Sequence, residues 1–524
     1  MLQPLSKLHT FTPDGQPAGI KTVRLFCIIA ALILLIACIN YVNLVTARAS
    51  NRNKEVSVKK ILGGKRRQLI AQLTVEAVLL FFAALVLSTV FVGFLFPLFN
   101  KIAGKEMAFS LFCFPTLLVY GVTTAAVILL AGLYPAIHLS SFKPLDAFRG
   151  GLTGQGKHRF LRKTLVVVQF VFSFGLIVAM IVIGSQLNYM RKKDLGYDKE
   201  NVFAFMVRNM YTRYETVKNE LAKNPYIIGV SGSGGGFRGG NNLNWDGKVL
   251  NDNPYITSQE IHHDYLRLMN VQLASGEYFS ENDDKYVLIN EEAVRIMGMD
   301  NPIGKRIWSD ENSRIDYTIK GVVKNYNFEN LKEPVKPLML TLTKYPLYIY
   351  VKTAEGGAQN ALASVEKLWQ EYNPNHEFMY SFLEDEFDMM YKADLRVGKL
   401  LYIFAFIAIF ISVLGLFGLV TFIAEIKKKE IGIRKVMGAS VKDIVMLLSK
   451  EFLILVGVAM LIAFPLAYYW LDKMLQDYAY RIHISWWMFA LAGIITLLFT
   501  LISVGWQALK AATANPVNAL KRDN

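Results

Sequence analysis

Cysteine is scarce in this sequence and badly placed for cross-linking. Its three residues, Cys27, Cys38 and Cys113, all lie inside apolar runs, and the polar stretch from about Arg191 to Arg396 has none. A disulfide framework or cysteine zinc site is therefore excluded from that stretch, and Cys27 and Cys38 read as small apolar packing residues. Acid is also in short supply, since 42 Asp and Glu face 57 Lys and Arg, a net charge of +15. Such an excess can mark a nucleic-acid binder, whose basic surface releases counterions from a phosphate backbone. Here position argues otherwise. The cations crowd into residues 48–67, 149–163 and 427–442, beside apolar runs, as in membrane loops held on the cytoplasmic side. Charge of either sign is thin overall, at 19% against 53% hydrophobic residues over 524 positions, which is too apolar for one soluble core.

What is present is a set of long hydrophobic runs. Crossing ~30 Å of hydrocarbon at 1.5 Å per residue takes roughly 20 apolar residues. Residues 23–46, 73–99, part of 109–139, 164–187, 400–424, 452–471 and 486–506 qualify, so the spacing predicts an α-helical integral membrane protein with about seven transmembrane helices. Pro97 and Pro115 fall near the ends of their runs, where a helix breaker costs little. The 48–67 loop carries eight cations against the single acid Glu55, which places it in the cytoplasm. Alternating from there puts 100–107 outside, 138–163 inside, 189–399 outside, and 425–443 and the tail 510–524 inside. The N-terminus then falls outside with no signal peptide ahead of it, so residues 1–21 are expected to be the trailing edge of something larger, in a shortened gene or a fragment.

The outer region alternates strand-like and helical patterns. Residues 202–207, 214–223 and 227–230 read as strand, helix, strand, and 347–352, 358–372 and 377–382 repeat that order. Between them lie strand-like 286–289, 317–323 and 337–342 and a short helix at 291–297. An extracytoplasmic α/β domain fits.

The strongest signal is an internal repeat. Lys54-Glu55-Val56-Ser57-Val58-Lys59-Lys60-Ile61-Leu62-Gly63 aligns with Lys429-Glu430-Ile431-Gly432-Ile433-Arg434-Lys435-Val436-Met437-Gly438, and without a gap Leu73 meets Leu448 and Glu76 meets Glu451. After two further runs, Pro144-Leu145-Asp146-Ala147-Phe148-Arg149 parallels Pro516-Val517-Asn518-Ala519-Leu520-Lys521. Aliphatics interleaved with cations predict a short amphipathic helix at the membrane face, ended by Gly63 or Gly438. A basic loop alone can simply fix topology. Repeating Glu, the aliphatics and Gly in one order twice goes beyond that need, and suggests docking to a two-lobed cytoplasmic partner.

Residues 429–439 resemble the MacB/FtsX-like ABC permeases, as does the Asn515-Pro516-Val517 tail. Asn301-Pro302-Ile303-Gly304-Lys305 and Gly321-Val322-Val323-Lys324-Asn325-Tyr326-Asn327-Phe328 are similar to the periplasmic core domain of such permeases. The resemblance implies this division: 1–21, remnant of a first extracytoplasmic domain; 22–150, a first FtsX-like unit of three spans; 151–163, a cytoplasmic linker; 164–189, a transmembrane stalk helix; 190–397, an extracytoplasmic domain of MacB periplasmic-core type; and 398–524, a second FtsX-like unit. It implies a permease subunit in a bacterial inner membrane with no catalytic, cofactor or metal site of its own. A separate ATPase carrying ATP and Mg would drive mechanotransmission, for export or extraction of a substrate. The ATPase-coupling residues would be Lys54, Glu55, Val58, Lys59, Lys60, Gly63, Lys429, Glu430, Ile433, Arg434, Lys435 and Gly438. Expected partners are that ATPase, a second copy in a homodimer or pseudo-dimer, a periplasmic adaptor or hydrolase, and membrane lipid, with no nucleic acid. The alternative is an FtsX-like signalling protein that regulates periplasmic cell-wall hydrolases.

Other motifs fall away. Residues 151–158 imitate a phosphate loop, but His158 stands where Ser or Thr would hold magnesium. Gly234–Gly239 matches a dinucleotide fingerprint, yet Asn241 and Asn242 follow where a helix should start, so a flexible loop is expected. His262-His263-Asp264 lacks a further ligand at metal spacing and reads as solvated surface. The acids Glu384, Asp385, Glu386 and Asp388 suit a stalk helix outside the membrane rather than a catalytic pair. Asn40, Asn43, Gln169 and Ser173 read as hydrogen-bonding groups between spans.

Overall fold

The structure is a computed structural model. It describes residues 20–133, 155–240, 243–248, 254–309 and 316–513, save positions 64, 105, 109 and 111. Most of the 1–21 stub, the proline segments at Pro144 and Pro516 and the start of the 151–158 phosphate-loop mimic lie outside the described residues. So do the side chains of Lys54, Glu55, Val58 and Lys429. The chain divides into two compact units. One comprises Met1–Leu187, Asp394–Leu475 and Ile482–Asn524, and the other Asn188–Ala393 with Gln476–Arg481.

The first unit opens with α1 (Ile20–Ile61), α2 (Arg66–Ala103) and α3 (Phe114–Val127), the last continued by π-helical turns over Ile128–Leu133. Runs of Leu, Ile, Val, Phe and Ala form helix here because a segment in hydrocarbon must satisfy its own backbone. Gly104 ends α2 in the left-handed conformation (φ 61°), returning its N–H to Asn100 O, and Pro115 sits in the first turn of α3, where its missing N–H is free of cost. Next comes α4 (Gln155–Lys192).

The second unit holds β1 (Val202–Met206), α5 (Tyr214–Leu221), β2 (Ile227–Ser233), β3 (Arg238–Gly240), β4 (Leu243–Trp245) and β5 (Ile256–Ile261). It continues through α6 (Tyr265–Leu268), β6 (Leu273–Gly276), β7 (Tyr286–Asn290), α7 (Glu291–Met297), β8 (Arg306–Ser309) and β9 (Asp316–Val323), then β10 (Leu338–Leu342), β11 (Tyr348–Thr353), α8 (Ala358–Tyr372) and β12 (Tyr380–Phe382). The strands form one mixed sheet in the order β12-β1-β11-β2-β5-β10-β7-β9-β8-β4, with β3 on β5 and β6 on β9. Helix α8 buries Ala361, Val365 and Trp369, one face at four-residue spacing, against Phe205, Ile349 and Val351. A second core gathers Phe279, Leu288, Val323, Leu338 and Leu340. The glycine-rich segment departs from expectation in its second half: residues 234–237 are bends without regular structure, but Arg238–Gly240 is a strand paired with Ile256–Ser258, because β2 reaches β5 only at Ile261 and leaves the rest of that side of β5 open to it.

The chain then enters α9 (Leu383–Ile426), α10 (Lys428–Val436), α11 (Val441–Leu475) and α12 (Trp486–Thr513). Among the described residues seven helices, α1–α4, α9, α11 and α12, are long and apolar enough to cross a membrane. Polar side chains tie them together. Asn40 Nδ2 donates to Ile411 O at 2.7 Å, Gln169 Nε2 to Ser412 O at 3.2 Å, and Ser173 shares a 2.7 Å bond with Ser412. Cys38 is buried beside Val42 and Ala131, as a packing residue should be, but Cys27 is exposed on its helix and does not pack inward.

Candidate coupling site

The two repeat elements fold differently up to their glycines and alike at them. In the first copy α1 continues unbroken to Ile61, so no separate amphipathic helix forms. In the second, α9 stops at Ile426 and α10 is a distinct short helix. Both copies then turn on a left-handed glycine, with Gly63 at φ 92° and Gly438 at φ 94°. Each turn presents an apolar pair to solvent just before that glycine, Ile61-Leu62 and Val436-Met437. The tips are equivalent, with Leu62 81% exposed and Met437 82%.

Within α10 the side chains divide by direction. Ile431 is buried with Ala424, Ile444, Leu448, Ala508 and Ala512, while Ile433 and Val436 are exposed. Glu430 and Arg434, one turn apart, form a 2.8 Å ion pair on the outer face. Such an exposed pair contributes only a few tenths of a kcal/mol, about 0.3–0.5, so its charges remain available to a partner. Lys435 Nζ donates to Ala512 O at 2.7 Å, capping one of the open carbonyls at the end of α12. Ser440 and Asp443 then start α11 reciprocally: Ser440 N donates to Asp443 Oδ2 and Asp443 N to Ser440 Oγ, at 3.0 and 3.3 Å. This cap was legible as Ser-x-x-Asp before an apolar run, yet the sequence reading passed over it. In the first copy Lys59 Nζ donates to Gln72 Oε1 at 3.2 Å. The Lys60 ammonium is pulled down by partial burial and, next, by the Arg66 cation.

The second unit contains a feature that no motif announced. Between α11 and α12 the chain leaves the first unit and contributes Gln476–Arg481 to the second. Tyr478 and Tyr480 pack on Met190, Leu195, Leu331, Phe387 and Tyr391. Ala479 N donates to Lys332 O at 3.0 Å. Lys193 lies 4.3 Å over the Tyr480 ring and Lys332 5.8 Å from the Tyr478 ring, each a cation–π contact.

His262 is not solvated surface. It is 4% exposed, with Nδ1 2.7 Å from Asp264 Oδ1 and Nε2 2.9 Å from Glu215 Oε1. Asp264 also accepts from Lys218 and Ser231. Burial alone would raise the Asp264 carboxyl, but these bonds from His262, Lys218 and Ser231 hold it well below the usual carboxylate range. Burial and the neighbouring His262 pull His263 down. Donor atoms of His262, His263 and Asp264 come within 4.8 Å of one another. With an ammonium already seated on Asp264, however, the group is built as an ion-pair knot. Glu215 lies 47 positions away from His262, a separation at which no local pattern marks the imidazole as covered.

The family described as FtsX-like permease C-terminal matches residues 27–144 and 402–516, the two copies of the repeat, and the MacB-like periplasmic core domain matches 165–368. A probable syringafactin export ATP-binding/permease protein of Pseudomonas syringae pv. tomato is 24% identical over 282 residues, covering 49% of this chain and 41% of the relative. The chain therefore spans under half the length of that relative. Among solved structures, the periplasmic region of MacB from Actinobacillus actinomycetemcomitans matches 38% of this chain and 97% of its own, at 15% identity and TM-score 0.28. The extracellular domain of the noncanonic ABC-type transporter YknZ from Gram-positive bacteria covers 34% of this chain and 97% of its own, at 15% identity and TM-score 0.26.

Proposed function

This chain belongs to the ABC transporter permease family, as a multi-pass membrane protein with two FtsX-like segments and a MacB-like periplasmic core domain, and on that premise we propose that it is the non-catalytic subunit through which a separate cytoplasmic ATPase moves the extracytoplasmic domain to export or extract a substrate. ATP and Mg are held by that partner, and the membrane is the bacterial inner membrane. The ATPase docks on the two repeat elements. Lys54, Glu55, Val58, Lys59, Lys60 and Gly63 form one contact, and Lys429, Glu430, Ile433, Arg434, Lys435 and Gly438 the other. Their cations meet acidic groups on the ATPase, save Lys435, which holds α10 to the end of α12 through Ala512 O, and the exposed tips at Leu62 and Met437 enter its apolar grooves.

The observation that carries this reading is the Gln476–Arg481 segment. A span pair that begins beside α10 has its connecting loop built into the extracytoplasmic unit. Displacement of α10 is passed to α11 through buried Ile431, Ile444 and Leu448 and along α11, past Pro465, to the half-buried tyrosines of the Gln476–Arg481 loop. Relay through packed elements requires no channel.

The test is co-purification of the chain from native membranes, with ATPase assay of the complex. Glu430→Lys or Arg434→Glu is expected to leave the chain folded and to uncouple hydrolysis from transport. Unchanged coupling in both variants would overturn the docking assignment. Recovery of a periplasmic hydrolase and no ATPase would instead establish the signalling alternative.

A further inference from the structure

Behind α10 lies a cavity of about 410 Å³ walled by α9, α10 and α12. Lys428, Lys435 and Lys510 line it against the single carboxylate of Glu425, and Phe417 and Ile431 close its apolar side. Lys435 is engaged by Ala512 O. Gln507 also faces the cavity. It is 7% exposed, with its amide opening onto that space, where it is placed to hydrogen-bond a polar occupant. An excess of ammonium groups over carboxylates at one concave site, with an amide beside them, specifies an anion with hydrogen-bonding oxygens.

The wall above the cavity specifies what that anion is attached to. Phe410, Leu414 and Phe417 are exposed on α9 at four- and three-residue spacing, and Thr421 and Lys428 continue the same face into the cavity. From Phe410 to Glu425 the helix rises ~22 Å at 1.5 Å per residue, about half of a bilayer of ~40–45 Å with its headgroup regions. An apolar track one leaflet long that ends in a basic pocket has the dimensions of a single lipid.

We infer that this cavity binds the phosphate headgroup of an anionic phospholipid from the cytoplasmic leaflet, with an acyl chain lying along Phe417, Leu414 and Phe410. The bound headgroup braces Lys428 and the buried side of α10, opposite the Glu430–Arg434 face. The inference rests on the membrane orientation and not on the ATPase, so either can fail without the other.

Native mass spectrometry of the full chain in detergent tests it, with phosphatidylglycerol, neutral diacylglycerol of the same chains, and inorganic phosphate as separate probes. Phosphatidylglycerol is expected to be retained about tenfold better than diacylglycerol, a difference of ~1.4 kcal/mol. The Lys428→Gln/Lys510→Gln variant should abolish that preference, and Lys428→Arg/Lys510→Arg should keep it. Equal retention of the neutral lipid, inorganic phosphate competing at the lipid's own concentration, or an undiminished preference in the glutamine variant would each overturn the assignment. Because the first two comparisons use the unaltered chain, poor folding of a variant leaves the question decidable.

Discussion

Aligning Lys54 with Lys429 places Asn40 opposite Gly415, and these are the residues that meet where α1 packs on α9. A Cβ on Gly415 would stand 1.8 Å from Asn40 Oδ1, while Asn40 Nδ2 donates to Ile411 O. The two copies of one position thus take complementary roles, a polar knob and the space for it. Gly415→Ala should destabilise the membrane unit by about 1–3 kcal/mol, as overpacking does, and Asn40→Ala should recover part of that loss in the double variant. Thermal unfolding of the three purified chains checks this, and additive effects would count against the contact. The Asp264 knot yields a prediction with a sign. Its carboxyl lies below the ordinary range in the folded domain, so its contribution is complete above the unfolded pKa of ~3.9 and is lost as pH falls through the lower folded value. Outer-domain stability should therefore fall as pH drops below ~4, and Asp264→Asn should be less stable near neutral pH by about 2–3 kcal/mol and lose less on acidification. Unfolding curves at pH 7 and pH 3.5 would show a parallel fall in both proteins if the knot were idle.

Among elements, the Gln476–Arg481 loop is the one on which the proposed relay depends. Each tyrosine ring is half-buried and contributes roughly 1–1.5 kcal/mol, about half the figure for full burial, so Tyr478→Ala/Tyr480→Ala should free the loop while α11 and α12 stay folded. The Ala479 amide, now bonded to Lys332 O, should then exchange about 100-fold faster. Exchange unchanged from the parent chain would mean that the tyrosines do not hold the loop. Sequence reading had no access to this element, because its partners at Met190, Leu195, Leu331 and Phe387 are scattered and no periodicity links them. The spans were legible because lipid demands a length and composition that any window reports. The basic repeat was legible because two copies can be compared. Strand existence was mostly legible, as at β7, β9, β10 and β11, since alternation is local. The sheet order β2-β5-β10-β7-β9 was not, because pairing partners leave no mark on either strand alone. At the coupling elements the sequence identified the amphipathic set but not its division into buried Ile431 and exposed Ile433, which depends on where Ala508 and Ala512 lie.

At the scale of the whole molecule, one chain carries both repeat elements, each ending in an equivalent exposed tip and left-handed glycine. Their pairing through unlike residues at Asn40 and Gly415 argues that the two copies are fitted to each other. Because Asn40 already fills the space at Gly415 within one chain, no second chain is needed to complete this contact. The chain should accordingly act as its own pseudo-dimer and engage two ATPase copies, one per element. Mass measurement of the detergent-solubilised complex is expected to give one permease chain for two ATPase chains. Reversing charge in one element alone, as Lys59→Glu with Lys60→Glu or Arg434→Glu with Lys435→Glu, should then weaken one contact and leave the other able to hold the partner. A two-to-two complex would mean that each chain supplies only one working element, and the Asn40–Gly415 contact would then be a packing detail of the monomer.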